Sequence, residues 1–178
     1  MQSVSINNLT FDEYLSQQEI ATIVAQVAER INADYAGREP LFICVLNGAF
    51  MYASDLFKLI TLPAEITFVR LKSYEGTATT GKVNMLIPLQ TSVKDRDVII
   101  IEDIVDTGTT LKHLKAYLMD RNPKCVKICT LLDKPSRRVA DIKADYIGFE
   151  IDNLFVVGYG LDYDQKYRNL PYVSYLEG

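Results

Sequence analysis

The chain has 178 residues, 48% hydrophobic and 24% charged, with a formal net charge of −4. That describes one soluble globular domain and excludes a disordered polymer. A pI near 5.0 argues against broad nucleic-acid binding, which draws on a basic face. No apolar run approaches the ~20 residues of a membrane helix, and the opening MQSVSINNLTFDEY lacks the basic-then-apolar pattern of a secretory leader.

The first predicted element is a helix. Ser16 and Glu19 stand at capping-box spacing, Ile20, Ile23, Val24, Val27 and Ile31 fall on one face, and Gly37 can end the region. Leu41-Phe-Ile-Cys-Val-Leu46, closed by Asn47-Gly48, reads as a strand buried on both faces. Residues 49–60 have helical apolar spacing through Phe50, Ala53, Phe57 and Ile60, and residues 65–71 read as another strand. Strand–helix–strand is the unit of parallel sheets. Residues 72–82 are polar and rich in Gly and Thr, which predicts a lid or mobile loop, and 83–89 would return as a strand. The unit then recurs as strand 97–102, helix 109–121 and strand 125–132, with further strands expected at 145–151, 155–159 and 172–176.

The three cysteines, Cys44, Cys125 and Cys129, are odd in number, and Cys44 and Cys129 lie in apolar runs. They read as free thiols of a reducing compartment, the cytoplasm. One histidine, His113, and no CxxC pair argue against a structural zinc site, and no nucleophile motif lies near His113. Gly76-Thr-Ala-Thr-Thr-Gly81-Lys82-Val83 nearly spells a Walker A loop. Val83 stands where a magnesium-binding hydroxyl belongs, however, and a strand follows where a helix should.

Chemistry concentrates in Val98-Ile-Ile-Ile-Glu-Asp-Ile-Val-Asp-Thr-Gly-Thr-Thr-Leu111. An apolar strand ends in Glu102 and Asp103, Asp106 follows, and Thr107-Gly108-Thr109-Thr110 opens a helix. Ligands of open α/β sheets bind at the carboxyl ends of strands, and a helix N-terminus offers free N–H groups to a phosphate. Paired acids suit a sugar diol, a Mg²⁺ ion, or both. An ordinary N-cap explains one polar residue here, not three carboxylates whose mutual repulsion is unfavourable.

Glu-Asp-x-x-Asp-Thr-Gly-x-Thr after a strand resembles the phosphoribosyl-pyrophosphate (PRPP) motif of the type I phosphoribosyltransferases. Residues 41–178 resemble the hypoxanthine-guanine branch through Leu46-Asn47-Gly48, Leu71-Lys72-Ser73-Tyr74, Leu131-Leu132-Asp133-Lys134, and Phe155-Val-Val-Gly-Tyr-Gly-Leu-Asp162-Tyr with Arg168 beyond. The resemblance implies an α/β fold: a central, mostly parallel sheet flanked by helices, with a small hood. The whole of 1–178 would be one domain, with its core at about 35–150, a hood from the N-terminal segment and about 151–178, and the lid at about 72–82.

The resemblance also implies roles. Glu102 and Asp103 would bind the ribose hydroxyls and support Mg²⁺, with Asp162 contributing partly through water. Thr107, Gly108, Thr109 and Thr110 would cradle the 5′-phosphate. Asp106 would act as acid/base near purine N7, a role that suits a carboxylate whose pKa burial raises. Lys134 would donate to O6, whereas a lysine at a strand end is ordinarily solvated. Phe155 would stack on the base, and Val156 and Asp162 would read its N1/N2 edge largely through backbone carbonyls. Both have ordinary readings too, a core phenylalanine and a turn aspartate. Arg168, Asn47 and Gly48 would hold pyrophosphate, the last two through a backbone N–H in a peptide bond that is cis in family members. Asn47 stands where relatives often carry Lys or Arg, so it supplies no charge. Ser73 and Tyr74 would belong to the lid.

The implied activity is purine salvage: PRPP and hypoxanthine, and guanine too, give the nucleoside monophosphate and pyrophosphate, with Mg²⁺ as cofactor. The partners would be these small molecules and further copies of the chain, as a homodimer or homotetramer, with neither nucleic acid nor membrane. Two alternatives are a non-catalytic PRPP- or nucleotide-binding regulator on the same fold, and the same reaction with xanthine preferred.

Overall fold

The computed structural model describes residues 3–6, 9–71 and 84–176. The predicted lid, Ser73 and Tyr74 included, lies outside the described residues.

Two strands missed by the sequence reading come first, β1 (Ser3–Ile6) and β2 (Leu9–Leu15), antiparallel to each other. Helix α1 (Gln17–Asp34) follows with the predicted capping box: Glu19 N–H donates to Ser16 Oγ at 3.2 Å, and Ser16 N–H to Glu19 Oε2 at 2.8 Å. The chain turns at Gly37, whose φ of +74° favours glycine. Next are β3 (Leu41–Leu46), α2 (Phe50–Lys58), β4 (Glu65–Leu71) and β5 (Met85–Ile87). On α2 the buried side chains are Tyr52, Ala53 and Leu56, while Phe50 is exposed. Of the expected stripe, Ala53 is buried and Phe57 and Ile60 pack against the same core cluster, while Phe50 points away from it. The predicted strand at 83–89 is shorter than expected and pairs antiparallel with β4, as a hairpin return would.

The chain continues through β6 (Asp97–Val105), α3 (Thr109–Met119) and β7 (Cys125–Asp133), then a 3-10 turn at Pro135–Arg137, β8 (Tyr146–Glu150), β9 (Val156–Val157) and β10 (Val173–Leu176). Six strands form the main sheet in the order β5-β4-β3-β6-β7-β8, parallel throughout except β5. A second sheet has the order β1-β2-β10-β9.

The continuous apolar runs are explained by burial on both faces. Phe42, Cys44, Ile99 and Ile101 pack in the cluster that includes α1 and α2. Their alternating neighbours Leu41, Ile43, Val98 and Ile100 pack with Leu111, Leu114 and Leu118 of α3. Period-two alternation along each strand thus builds a three-layer molecule.

Register then opens a cleft. Pairing of β3 with β6 runs from Leu41↔Val98 to Cys44↔Ile101 and stops, while pairing of β6 with β7 continues to Val105↔Asp133. Beyond Ile101, β6 has a partner on one side only. Strand β6 therefore does not end at the carboxylates; it carries Glu102 and Asp103 past the point where β3 leaves it.

Candidate active site

Glu102 and Asp103 sit adjacent on the freed end of β6. Glu102 Oε1 accepts from Asp103 N–H at 3.2 Å, and Asp103 Oδ1 accepts from Ile104 N–H at 2.8 Å. Burial pushes both carboxyls up, and the charge of Asp103 pushes Glu102 up further. The Arg168 guanidinium partly counters this at Asp103. Both carboxyls are thus held toward their neutral form, and a bound cation would favour their ionisation.

From Glu102 to Leu111 the chain lines a cavity of about 180 Å³. Gly108 forms its turn with φ +79° and stands at the N-cap of α3, where no side chain caps the helix. Thr107 Oγ1 accepts from Thr109 N–H at 3.4 Å, and the Thr107 carbonyl accepts from Val139 and Ala140 N–H, each at 3.0 Å. Helix N–H groups that lack intrahelical partners are left to face an anion.

Asp106 departs from expectation. Its side chain is 42% exposed, and its Oδ1 lies 3.0 Å from Arg137 Nε. The burial anticipated for this acid is not provided, because the loop lifts it to the rim of the cleft against Arg137.

Lys134 is 7% exposed, at the end of β7, and is not the ordinarily solvated lysine of a strand end. Its N–H donates to the Val105 carbonyl at 2.9 Å, tying it to the loop that begins with Asp106. Desolvation lowers its ammonium pKa; nearby Asp106 works against that and Arg137 with it. Phe155 is 47% exposed, so it is no core phenylalanine. Its ring is steadied by Phe11 at 6.2 Å and Tyr163 at 5.9 Å. Val156 is buried in β9, opposite Tyr175 of β10.

Asp162 is in part the turn aspartate: its Oδ2 accepts from Gln165 N–H at 2.8 Å. Its Oδ1 pairs with Arg168 Nη2 at 3.0 Å. Arg168 also donates to the Gly160 carbonyl at 2.7 Å and to Gln165 Oε1 at 3.2 Å. Among the described residues, no three acids, histidines or cysteines come together as a ready metal cage.

The remaining pieces meet through glycine. A Cβ on Gly48 would collide with the Asp103 carboxylate, and one on Gly160 with the Gly48 carbonyl. The strand-end turn, the acidic pair and the segment carrying Asp162 and Arg168 therefore touch only because neither position bears a side chain. The cis peptide is Leu46–Asn47, one bond before the Asn47–Gly48 bond expected.

Sequence reasoning missed Arg137, Arg138 and the tether from Tyr159, whose hydroxyl donates to Asp55 Oδ2 at 2.6 Å. No local pattern marks these residues, since each acts on a segment distant in the chain.

Comparison with known proteins agrees with this geometry. The phosphoribosyl transferase domain family matches residues 10–164. The hypoxanthine-guanine phosphoribosyltransferase of Streptococcus thermophilus is 47% identical over 163 residues, covering 91% of each chain. That of Bacillus subtilis is 46% identical over 164 residues, covering 92% of this chain and 91% of its own. A crystal structure of a hypoxanthine phosphoribosyltransferase from Staphylococcus aureus superposes with a TM-score of 0.89 at 42% identity, covering 99% of this chain and 98% of its own.

Proposed function

The chain belongs to the hypoxanthine-guanine phosphoribosyltransferase family, and on that premise we propose which of its residues carry each part of the reaction. It is a type I phosphoribosyltransferase that moves the 5-phosphoribosyl group of PRPP to N9 of hypoxanthine or guanine, yielding IMP or GMP and pyrophosphate.

In our reading the 5′-phosphate lies on the Thr107–Thr110 turn, held by helix N–H groups and threonine hydroxyls. Glu102 and Asp103 take the ribose hydroxyls. A half-buried carboxylate pair is also the donor set a Mg²⁺ ion accepts, since it is ordinarily held by one or two carboxylates and substrate oxygens. Bound with PRPP, the ion would neutralise charge on the leaving pyrophosphate. Asp162 would reach it through water, and Arg168 would take pyrophosphate oxygens in forked geometry, helped by Gly48 N–H and the backbone at Asn47.

Asp106, at the rim, accepts or returns the proton at N7 as N9 attacks C1. Lys134 donates to O6, and a donor there disfavours adenine, whose 6-amino group also donates. Phe155 stacks on the ring, while the Val156 and Asp162 carbonyls read the N1/N2 edge. Ser73 and Tyr74 belong to a lid that keeps water from an oxocarbenium-like ribose. The second sheet and the segment after Ile151 serve as the hood of a single domain, 1–178. We place the enzyme in the cytoplasm as a homodimer or homotetramer. Its cysteines are free, and no helix among the described residues is long and apolar enough to cross a membrane.

One observation carries this reading: the buried Lys134 is hydrogen-bonded through its backbone to Val105, the neighbour of Asp106, which supports an O6 donor and an N7 carboxylate acting on one base. The test is turnover of hypoxanthine, guanine, xanthine and adenine with PRPP and Mg²⁺. We expect hypoxanthine and guanine to react, adenine to stay silent, and EDTA to stop the reaction. Fast adenine turnover would remove Lys134 from O6. In Asp106→Asn we expect PRPP to bind while turnover falls by about 10²–10⁴-fold.

A further inference from the structure

We propose that Arg138 is a positioning residue that clamps the loop carrying Asp106 and the phosphate cradle into its working shape. The inference rests on the reading of residues 106–110 given above. The side chain of Arg138 is only 15% exposed and folds beneath the loop. Its Nε donates to the Asp106 carbonyl at 3.1 Å, its Nη2 to the Val105 carbonyl at 3.4 Å, and its Nη1 to the Ile142 carbonyl at 2.7 Å. The same Nη2 ion-pairs with Asp133, whose side chain is 7% exposed.

The neighbours of Arg138 extend the clamp. Val139 and Ala140 N–H both donate to the Thr107 carbonyl, so three successive loop carbonyls, at residues 105, 106 and 107, are pinned from behind. The turn itself leans on the same side chain. A Cβ on Gly108 would stand 2.9 Å from Arg138 Cδ and 2.6 Å from Ile142 Cγ2. With its carbonyls held at the back, the loop can turn its N–H groups and hydroxyls toward the cavity.

Arginine suits this work because its planar fork holds several donors at fixed angles. A lysine could keep the ion pair with Asp133 but could not reach three carbonyls at once. Asp133 stands immediately before Lys134, so the clamp also joins the phosphate side of the cleft to the base side.

The experiment is steady-state kinetics of Arg138→Lys with PRPP and hypoxanthine, alongside thermal unfolding. We expect KM for PRPP to rise about tenfold or more, because small displacements of binding groups are expensive. KM for hypoxanthine should rise less than KM for PRPP, since Arg138 holds the base side only through Asp106 and Asp133. A purely structural role would lower the amount of active enzyme, and hence apparent kcat, and leave both KM values alone. A folded Arg138→Lys enzyme with wild-type KM for PRPP overturns the proposal.

Should that variant not fold, Asp133→Asn/Arg138→Gln replaces the charged pair by a neutral one and leaves no carboxylate buried alone; the same comparison of KM values then decides. If the wild type turns over no purine, the functional reading fails instead. PRPP titration calorimetry on wild type and variant then still decides whether Arg138 shapes the loop: unchanged affinity overturns the proposal, and weakened affinity supports it.

Discussion

Arg137 Nε lies 3.0 Å from Asp106 Oδ1, so the carboxylate assigned to purine N7 is ion-paired before any base arrives. Both side chains are about half exposed, at 49% and 42%, and such a pair contributes at most about 1 kcal/mol. We expect an arriving base to compete with Arg137 for this carboxylate. In Arg137→Ala we expect the thermal midpoint to hold within about 4 °C and KM for hypoxanthine to fall by up to about fivefold, the equivalent of that 1 kcal/mol. A rise in KM would show instead that Arg137 helps to hold the base.

Lys134 is the cleanest test of base recognition. Lys134→Met keeps the bulk of the side chain and removes the donor. A hydrogen bond to a charged group contributes about 1.5–3 kcal/mol, so kcat/KM for hypoxanthine should fall about 10- to 150-fold. Removing a desolvated ammonium should leave the fold no less stable, as thermal unfolding would report.

The lowered pKa of Lys134 also sets a pH signature. As pH rises through that value, the folded enzyme loses the ammonium while an unfolded chain keeps it up to about 10.4. Over that window the unfolded state binds more protons, so from this group alone stability rises with pH. Activity moves the opposite way, because the O6 donor loses its charge. The alkaline limb of kcat/KM should therefore begin below the ordinary lysine range and vanish in Lys134→Met.

Glu102 and Asp103 repel each other in a desolvated setting. Glu102→Gln should raise the stability of the ligand-free protein, by about 1 kcal/mol. It should also shrink the thermal shift that PRPP and Mg²⁺ produce together. Differential scanning calorimetry with and without both ligands separates the two effects. A variant that is no more stable when free would show that the pair is not strained.

Gly160 and Gly37 form an internal control. Both have positive φ, +97° and +74°. A Cβ on Gly37 meets nothing within 4 Å, while one on Gly160 runs into the Gly48 carbonyl. Gly37→Ala should cost only the left-handed backbone, about 1–2 kcal/mol. Gly160→Ala should cost clearly more and raise KM for PRPP. Urea denaturation of the two variants isolates the contact from the backbone preference.

Features set by neighbouring residues were legible in the sequence. The capping box at Ser16 and Glu19, the two-sided strands at 41–46 and 97–102, and the acid-rich turn into α3 all depend on spacings of a few residues. The family's PRPP motif is legible for the same reason, since one loop carries it whole. What depended on distant chain was not legible. Burial of Lys134 follows from packing around the end of β7, and exposure of Asp106 from the loop's seat against Arg137. Strand β2 gains meaning only by pairing with β10, more than 150 residues away, and β1 joins that sheet through β2. The sequence by itself determined the strands of the main sheet, the acid-rich turn into α3 and the chemical types along it. Tertiary structure alone decided which charges are desolvated, which are paired and which glycines let segments touch, because desolvation and close contact belong to the packed whole rather than to any stretch of chain.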